Sequence, residues 1–105
     1  MIINTDVIIK NLDGTKIPSD KDGEFTVGRA IGIILSSDRE QKKFDALKAY
    51  ILAQKFYSDK SVDIDKADLK SLTEILQGTK AYPPLVLGQL LLAIEEKKDA
   101  DIPNK

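Results

Sequence analysis

The fold of this chain is decided by residues 38–57, which read DREQKKFDALKAYILAQKFY. Apolar residues recur there at the spacing of an α-helix, and Ser37 with Glu40 matches a capping box at the helix start. Polar residues form only one narrow stripe, which Leu52 interrupts. An apolar arc this broad predicts a long central helix that is contacted on several sides.

Downstream of this helix, the pattern predicts a short strand and a further helix. Val62 and Ile64 alternate with aspartates, as in an extended segment. Asp65 has the position of an N-cap, because the apolar stripe of residues 69–76 follows it at helical spacing. Gly78 then suits the C-terminal cap of that helix.

A last helix is predicted after Pro83 and Pro84, since proline is tolerated in the first turn. It is apolar nearly all round until the charged residues 95–98. We interpret residues 1–98 as a single globular domain and residues 99–105, which contain Pro103, as a flexible tail.

The N-terminal part of the chain has the composition of β-structure. Residues 2–12 are rich in β-branched side chains, and Asp13-Gly14 separates them from a short second run that ends at Ile17. Asp-Gly between two extended runs predicts a β-hairpin in which both turn residues have positive φ. We expect this hairpin to lie against the central helix, with residues 62–64 as a third strand.

A short helix is predicted between the hairpin and the central helix. Thr26 is a plausible N-cap, and Val27 is the first residue of its apolar stripe. Gly28 and Gly32 lie four residues apart on this helix, where each costs about 1 kcal/mol against alanine. We interpret them mainly as sites of close packing against a neighbouring element, with a ligand at the bare backbone as the alternative. The predicted fold class is therefore α+β, mostly helical, with an N-terminal β-hairpin packed on a bundle of about four helices.

Composition excludes several classes of chemistry. The chain has 105 residues without cysteine or histidine and a net charge of −1, so thiolate chemistry, imidazole bases and a global attraction to nucleic acid are all absent. The acidic run from Asp59 to Asp68 has alternate spacing, but Ile64 and Lys70 occupy the positions where a calcium loop needs glycine and glutamate. We predict a cytoplasmic protein that is no enzyme, has no cofactor, no metal and no membrane segment.

The predicted central helix and the predicted last helix each have a wider apolar surface than a small helix bundle needs to bury. Some of these side chains then remain exposed and form a surface for a protein partner or a second copy of the chain. The same residues would also serve a packed core, so both interpretations stay open. The candidates for the interface are Leu52, Phe56, Tyr57, Tyr82, Val86 and Leu90.

A nucleic-acid interface is the alternative function. Arg39, Lys42 and Lys43 lie near the predicted start of the long helix and could contact phosphates. Acidic residues surround them, which favours a solvated face with ion pairs within the helix. No aromatic residue is interleaved there to stack on bases.

The order of these features resembles small uncharacterised proteins encoded by bacteriophages and prophages. The resemblance extends over most of the chain and implies a viral or prophage origin without catalysis, and it assigns no site residues. The matching stretches are NLDG at 11–14, RAI at 29–31, ALKAY at 46–50 with AQKFY at 53–57, VDID at 62–65, and PLV at 84–86 with GQLL at 88–91. Together with the apolar helices, it predicts a small non-enzymatic protein that acts through protein contacts, in an accessory, assembly-chaperone or adaptor role.

Overall fold

A computed structural model describes residues 2–17, 24–38 and 41–94 of the chain. The predicted fold class is confirmed, because four helices and a small antiparallel sheet account for the regular structure of these residues. The elements in chain order are β1 (Ile2–Asn4), α1 (Val27–Ser37), α2 (Ala46–Ser58), β2 (Ser61–Asp63), α3 (Lys66–Gly78) and α4 (Pro84–Ile94).

The sheet joins the N-terminus to the middle of the chain. Strand β1 pairs antiparallel with β2, and Ile3 lies opposite Val62. Both side chains are buried while their strand neighbours are exposed, as the period of two in a half-covered strand requires. The predicted additional strand therefore forms, and β1 has it as a partner.

The Asp-Gly segment turns the chain back, but with a different loop from the one predicted. The Lys10–Lys16 bridge closes it, and the amide of Gly14 donates to the carbonyl of Asn11 at 3.0 Å. Gly14 has φ +89°, whereas none of the described non-glycine residues has positive φ. The two-residue turn was therefore wrong: this is a three-residue loop with a glycine bulge, in which the Asp13 carboxylate accepts hydrogen bonds from the amide and hydroxyl of Thr15.

Hydrogen bonds hold this hairpin against α1 and α4. The amide of Val27 donates to the carbonyl of Val7 at 2.8 Å, so the chain is tied to the first turn of α1. The side chain of Gln89 on α4 accepts from the amide of Lys10 and donates to its carbonyl. The hairpin is thus held by α1 and α4, while the amide and hydroxyl of Thr5 donate to the carbonyls of Lys60 and Asp59 at the C-terminal end of α2.

The predicted start of the long helix was wrong. Helix α1 continues to Ser37, whose hydroxyl donates to the carbonyl of Ile33 at 2.6 Å instead of capping a new helix. Asp45 is the N-cap of α2, and its carboxylate accepts from the amide of Lys48 at 2.8 Å. Of the predicted capping box, Glu40 lies outside the described residues.

The side chain of Gln41 and the buried ring of Phe44 explain why residues 41–45 are not helical. The Gln41 side-chain oxygen accepts from the amides of Lys43 and Phe44, each at 3.0 Å, so it holds a turn that competes with helix. The Phe44 ring is buried in the core, which this turn makes possible. Tertiary packing therefore prevails over the local helix pattern.

The N-caps of α1 and α3 follow the prediction more closely than that of α2. Thr26 and Asp65 are the N-caps of α1 and α3, as predicted, and the Asp65 carboxylate accepts from the amide of Asp68 at 2.8 Å. Gly78 is instead the last residue of α3, and Thr79 is its C-cap. The predicted tail at 99–105 lies outside the described residues.

One continuous core lies between the helices and beneath the sheet. All four helices contribute to it, together with Ile3 and Ile9 from the N-terminal segment. Its largest fully buried side chains are Phe56, Ile3, Ile9, Ile31, Ile34, Leu72, Leu76, Leu90, Ile94 and Val27.

Candidate functional site

The two faces of α2 have different surroundings. Its inner face, which we define as Ala49, Leu52, Ala53 and Phe56, is buried against the rest of the molecule. Helix α1 packs against α2 through Gly28 and Gly32. This packing covers one side of α2 and leaves the opposite side exposed.

The glycines of α1 permit this close packing. A Cβ at Gly28 would lie 2.2 Å from the carbonyl oxygen of Phe56 and 2.6 Å from the Cβ of Thr5. A Cβ at Gly32 would lie 3.0 Å from the carbonyl oxygen of Ala53. The interpretation of these glycines as sites of close backbone packing is therefore confirmed, and the space beside them is filled by protein.

The outer face of α2 carries large apolar side chains that the fold does not cover. We define the outer face as Leu47, Tyr50, Ile51 and Tyr57, the large apolar side chains of α2 that remain exposed. Their exposed fractions are 67%, 57%, 42% and 41%. Leu47, Tyr50 and Ile51 have the spacing i, i+3, i+4 and are therefore neighbours on the helix surface, while Tyr57 lies further along α2, beyond Gln54. Tyr57 lies at the flank of this face that is nearer to α1, beside Gly32.

Polar contacts of the two tyrosines hold one edge of the outer face. The Gln54 amide donates to the Tyr50 hydroxyl at 3.1 Å, and the guanidinium of Arg29 lies 5.5 Å from the centre of the Tyr57 ring. The Tyr57 ring also packs beside Gly32 of α1. Both tyrosines therefore have contacts within the fold, while 57% of Tyr50 and 41% of Tyr57 remain exposed.

A groove borders the other edge of the outer face, between α2 and the junction of β2 with α3. It has a volume of about 370 Å³. Its apolar part consists of Leu47 and Ile51 from the outer face, with the buried Leu52 and Ile64 below them. Its polar part consists of Asp45, Lys48, Lys55, Asp63, Asp65 and Asp68.

Lys48 is paired with one of the aspartates of this groove, and its pKa is shifted by the carboxylates around it. The ammonium of Lys48 donates to the Asp68 carboxylate at 2.8 Å, and this hydrogen bond is the main reason that the pKa of Lys48 lies above its ordinary value. The charges of Asp68, Asp65 and Asp45 raise the pKa of Lys48 further. Four aspartates and two lysines line the groove, so its formal charge is negative.

Most of the predicted interface residues belong to the core. Tyr57 is the exception, and Tyr82 is half-buried with its ring centre 5.6 Å from that of Phe25. This burial raises the pKa of the Tyr82 hydroxyl. The buried members of the predicted set are Leu52, Phe56, Val86 and Leu90.

Of the predicted residues on α2, Leu52 and Phe56 are buried and Tyr57 is exposed, because helical spacing does not tell which face a neighbour covers. The sequence signal for the outer face was present: Leu47, Tyr50 and Ile51 have the spacing i, i+3, i+4. The inner face has the same spacing, in Ala49, Leu52, Ala53 and Phe56. Only the position of α1 distinguishes the two.

The basic residues of the nucleic-acid alternative lie ahead of α2 rather than on it. Lys42 and Lys43 line a second groove of about 770 Å³, between this segment and the end of α3. The ammonium of Lys43 lies 2.8 Å from the Glu74 carboxylate, whose pKa it lowers. Asp38 lines the same groove, so positive charge is offset there. Arg39 lies outside the described residues, and the nucleic-acid interface stays a prediction.

Within the described residues, no group of three or more acidic side chains is placed to hold a metal ion. The acidic run has structural roles instead: Asp65 caps α3, Asp59 is the C-cap of α2, and Asp68 pairs with Lys48.

None of the described helices is long and apolar enough to cross a membrane. No protein-family model, curated protein or solved structure matches this chain.

Proposed function

We propose that this chain is a non-enzymatic protein that acts through protein–protein contacts made by the outer face of α2. The observation that carries the proposal is the exposure of Leu47, Tyr50, Ile51 and Tyr57 on a helix whose other face is already packed. Exposed apolar surface of this kind costs solubility, and it is retained where a partner covers it. An accessory, assembly-chaperone or adaptor role fits such a surface.

The residue types on the outer face support the same role. Two of the four are tyrosines, which supply a large contact area at a small cost in side-chain entropy and are enriched in protein interfaces. The ordering of Tyr50 by Gln54 and of Tyr57 by Arg29 reduces that cost further.

The proposed biological setting rests on the sequence. The resemblance to bacteriophage and prophage proteins supports a viral or prophage origin, and we place the chain in the cytoplasm of the bacterial host. The absence of cysteine fits a reducing compartment.

Site-specific photo-crosslinking tests the contact function. A benzoylphenylalanine replaces Tyr50 on the outer face or, as a control, Leu92, which is 66% exposed on α4. Both chains are expressed in cells that encode the protein, irradiated, and analysed for crosslinked products. We expect a discrete product from position 50, lost when Leu47→Ser is added, and none from position 92.

Two results would overturn the proposal. One is the absence of any discrete product from position 50 while the variant is folded by circular dichroism. The other is an identical set of products from both positions, since that would show nonspecific collision. The mass of the product also separates a second copy of this chain from a different partner.

A further inference from the structure

The groove at the edge of the outer face combines an apolar floor with an acidic rim. Leu47 and Ile51 lie one helical turn apart and are both accessible, so they offer two adjacent sites for the apolar side chains of an incoming segment. At about 370 Å³, the groove has room for a few such side chains and not for a whole domain.

The charges of the rim specify the chemistry of the occupant. Four aspartates and two lysines line the groove, and one of these lysines, Lys48, is already paired with Asp68. The chain as a whole has a net charge of only −1, so this groove concentrates negative charge. An acidic peptide would meet repulsion there, whereas a basic one would be attracted.

The helix ends at the groove do not cancel this charge. Helices α2 and α3 both begin there, and their N-terminal amides carry partial positive charge, which Asp45 and Asp65 cap. Each helix start carries a partial charge of roughly +0.5, so the two together do not offset the negative formal charge of the four aspartates and two lysines that line the groove.

We infer that this groove binds a basic amphipathic segment of a partner protein, with its apolar side chains on Leu47 and Ile51 and its lysines or arginines on the aspartate rim. This inference rests on the proposed contact function and names the chemistry of the partner. A helix that presents apolar residues at i and i+4 with flanking positive charges matches both parts of the groove.

Two synthetic peptides test the inference directly. Each is about 15 residues long with the same leucine stripe, and the other positions are lysine in one and glutamate in its control. Binding to the full chain is measured by fluorescence anisotropy at two salt concentrations. We expect the lysine peptide to bind at least about tenfold more tightly at low salt, with a smaller difference at high salt.

Variants of the chain locate the binding site. Ile51→Ser removes part of the apolar floor and should weaken binding of the lysine peptide by about tenfold. Lys55→Glu makes the rim more acidic and should strengthen it by about threefold at low salt. Leu92→Ser changes an exposed apolar side chain that does not line the groove, and it should leave binding unchanged.

Equal binding of the two peptides, or no binding of either, would overturn the inference. An unchanged affinity in Lys55→Glu would do the same, and that variant remains informative even if Ile51→Ser does not fold. If position 50 captures a discrete partner while the lysine peptide does not bind, the contact function stands and the basic-segment inference fails. If the lysine peptide binds but position 50 gives no discrete product, the groove has the inferred chemistry and the proposed contact function fails.

Discussion

The two faces of α2 are similar in residue type and opposite in their surroundings. The inner face meets α1 at Gly28 and Gly32, where there is no space for another carbon atom beside the first glycine. The outer face carries side chains at least as large, yet about half of each is exposed. Apolar periodicity on a helix therefore measures what the helix is able to bury, and not what the monomer does bury.

This difference separates stability from function along one helix. Substitutions on the inner face remove or disturb packing that the folded state uses, so they should lower the free energy of unfolding. Substitutions on the outer face remove side chains that the monomer leaves in water, so they should affect contacts and spare the fold.

The largest expected effect comes from Phe56→Ala. Phe56 is among the largest fully buried side chains, and its removal should lower the free energy of unfolding by about 4 kcal/mol through lost burial and a residual cavity. Urea denaturation followed by circular dichroism measures the change. A loss below about 1 kcal/mol would return Phe56 to the set of interface candidates.

Gly28→Ala should be the next most damaging change. Its Cβ would meet the carbonyl oxygen of Phe56 at 2.2 Å, so the two helices must separate, at a cost of about 3 kcal/mol. The matched control is Gly88→Ala on α4, where none of the described atoms lies within 4 Å of the new carbon. That control should gain about 1 kcal/mol of stability from helix propensity. The midpoint of thermal denaturation should therefore rise for Gly88→Ala and fall for Gly28→Ala.

Gly32→Ala probes the same helix pair at a less crowded position. Its Cβ would lie 3.0 Å from the carbonyl oxygen of Ala53 and 3.1 Å from the Cβ of Tyr57. We expect a net loss of about 1 kcal/mol, because this overpacking exceeds the gain in helix propensity. A net gain in stability, measured in the same denaturation series, would show that α1 and α2 are able to move apart freely.

Leu47→Ser and Tyr50→Ser should leave stability within about 0.5 kcal/mol of the original chain. Both side chains are more than half exposed, so little packing is lost. The same two variants should lose the crosslinked product expected on the outer face, when the probe is placed at Tyr57. A loss of several kcal/mol from either variant would show that the outer face is part of the core.

The smallest effect concerns the segment ahead of α2 and depends on pH. Lys43 lowers the pKa of Glu74 below its ordinary 4.5, so the ion pair contributes stability above that value and the contribution is lost as the pH falls through the lowered pKa. About half of each side chain is exposed, so the contribution is small and screened by salt. Glu74→Gln should be slightly less stable than the original chain at neutral pH and should approach it in acid, as urea denaturation at both pH values measures.

The outcome of the sequence predictions follows from the range of the interactions involved. The caps at Thr26 and Asp65 were predictable because an N-cap depends on its own side chain and the next turn of the helix. The start of α2 was not predictable in this way. Ser37 and Glu40 gave an equally local signal, but the Gln41 turn and the burial of Phe44 prevailed over it.

The candidate site was even less predictable from local sequence signals than the start of α2. Of the predicted interface residues, Tyr57 alone lies on the outer face, where 41% of it is exposed, while Leu47 and Ile51 were not predicted. The groove joins α2 to residues 63–68, which follow it through a turn and a strand. The groove depends on how residues 63–68 fold back against α2, and the residue spacing within α2 does not contain that information.

Local patterns were sufficient for the fold class, for the number of helices and for the close packing of the α1 glycines, because helix periodicity, caps and glycine costs act within a few residues. Tertiary structure alone decided which face of α2 is covered and where acidic and apolar residues meet. The physical reason is that periodicity gives the angles between side chains on one helix, while burial depends on the direction from which another helix approaches.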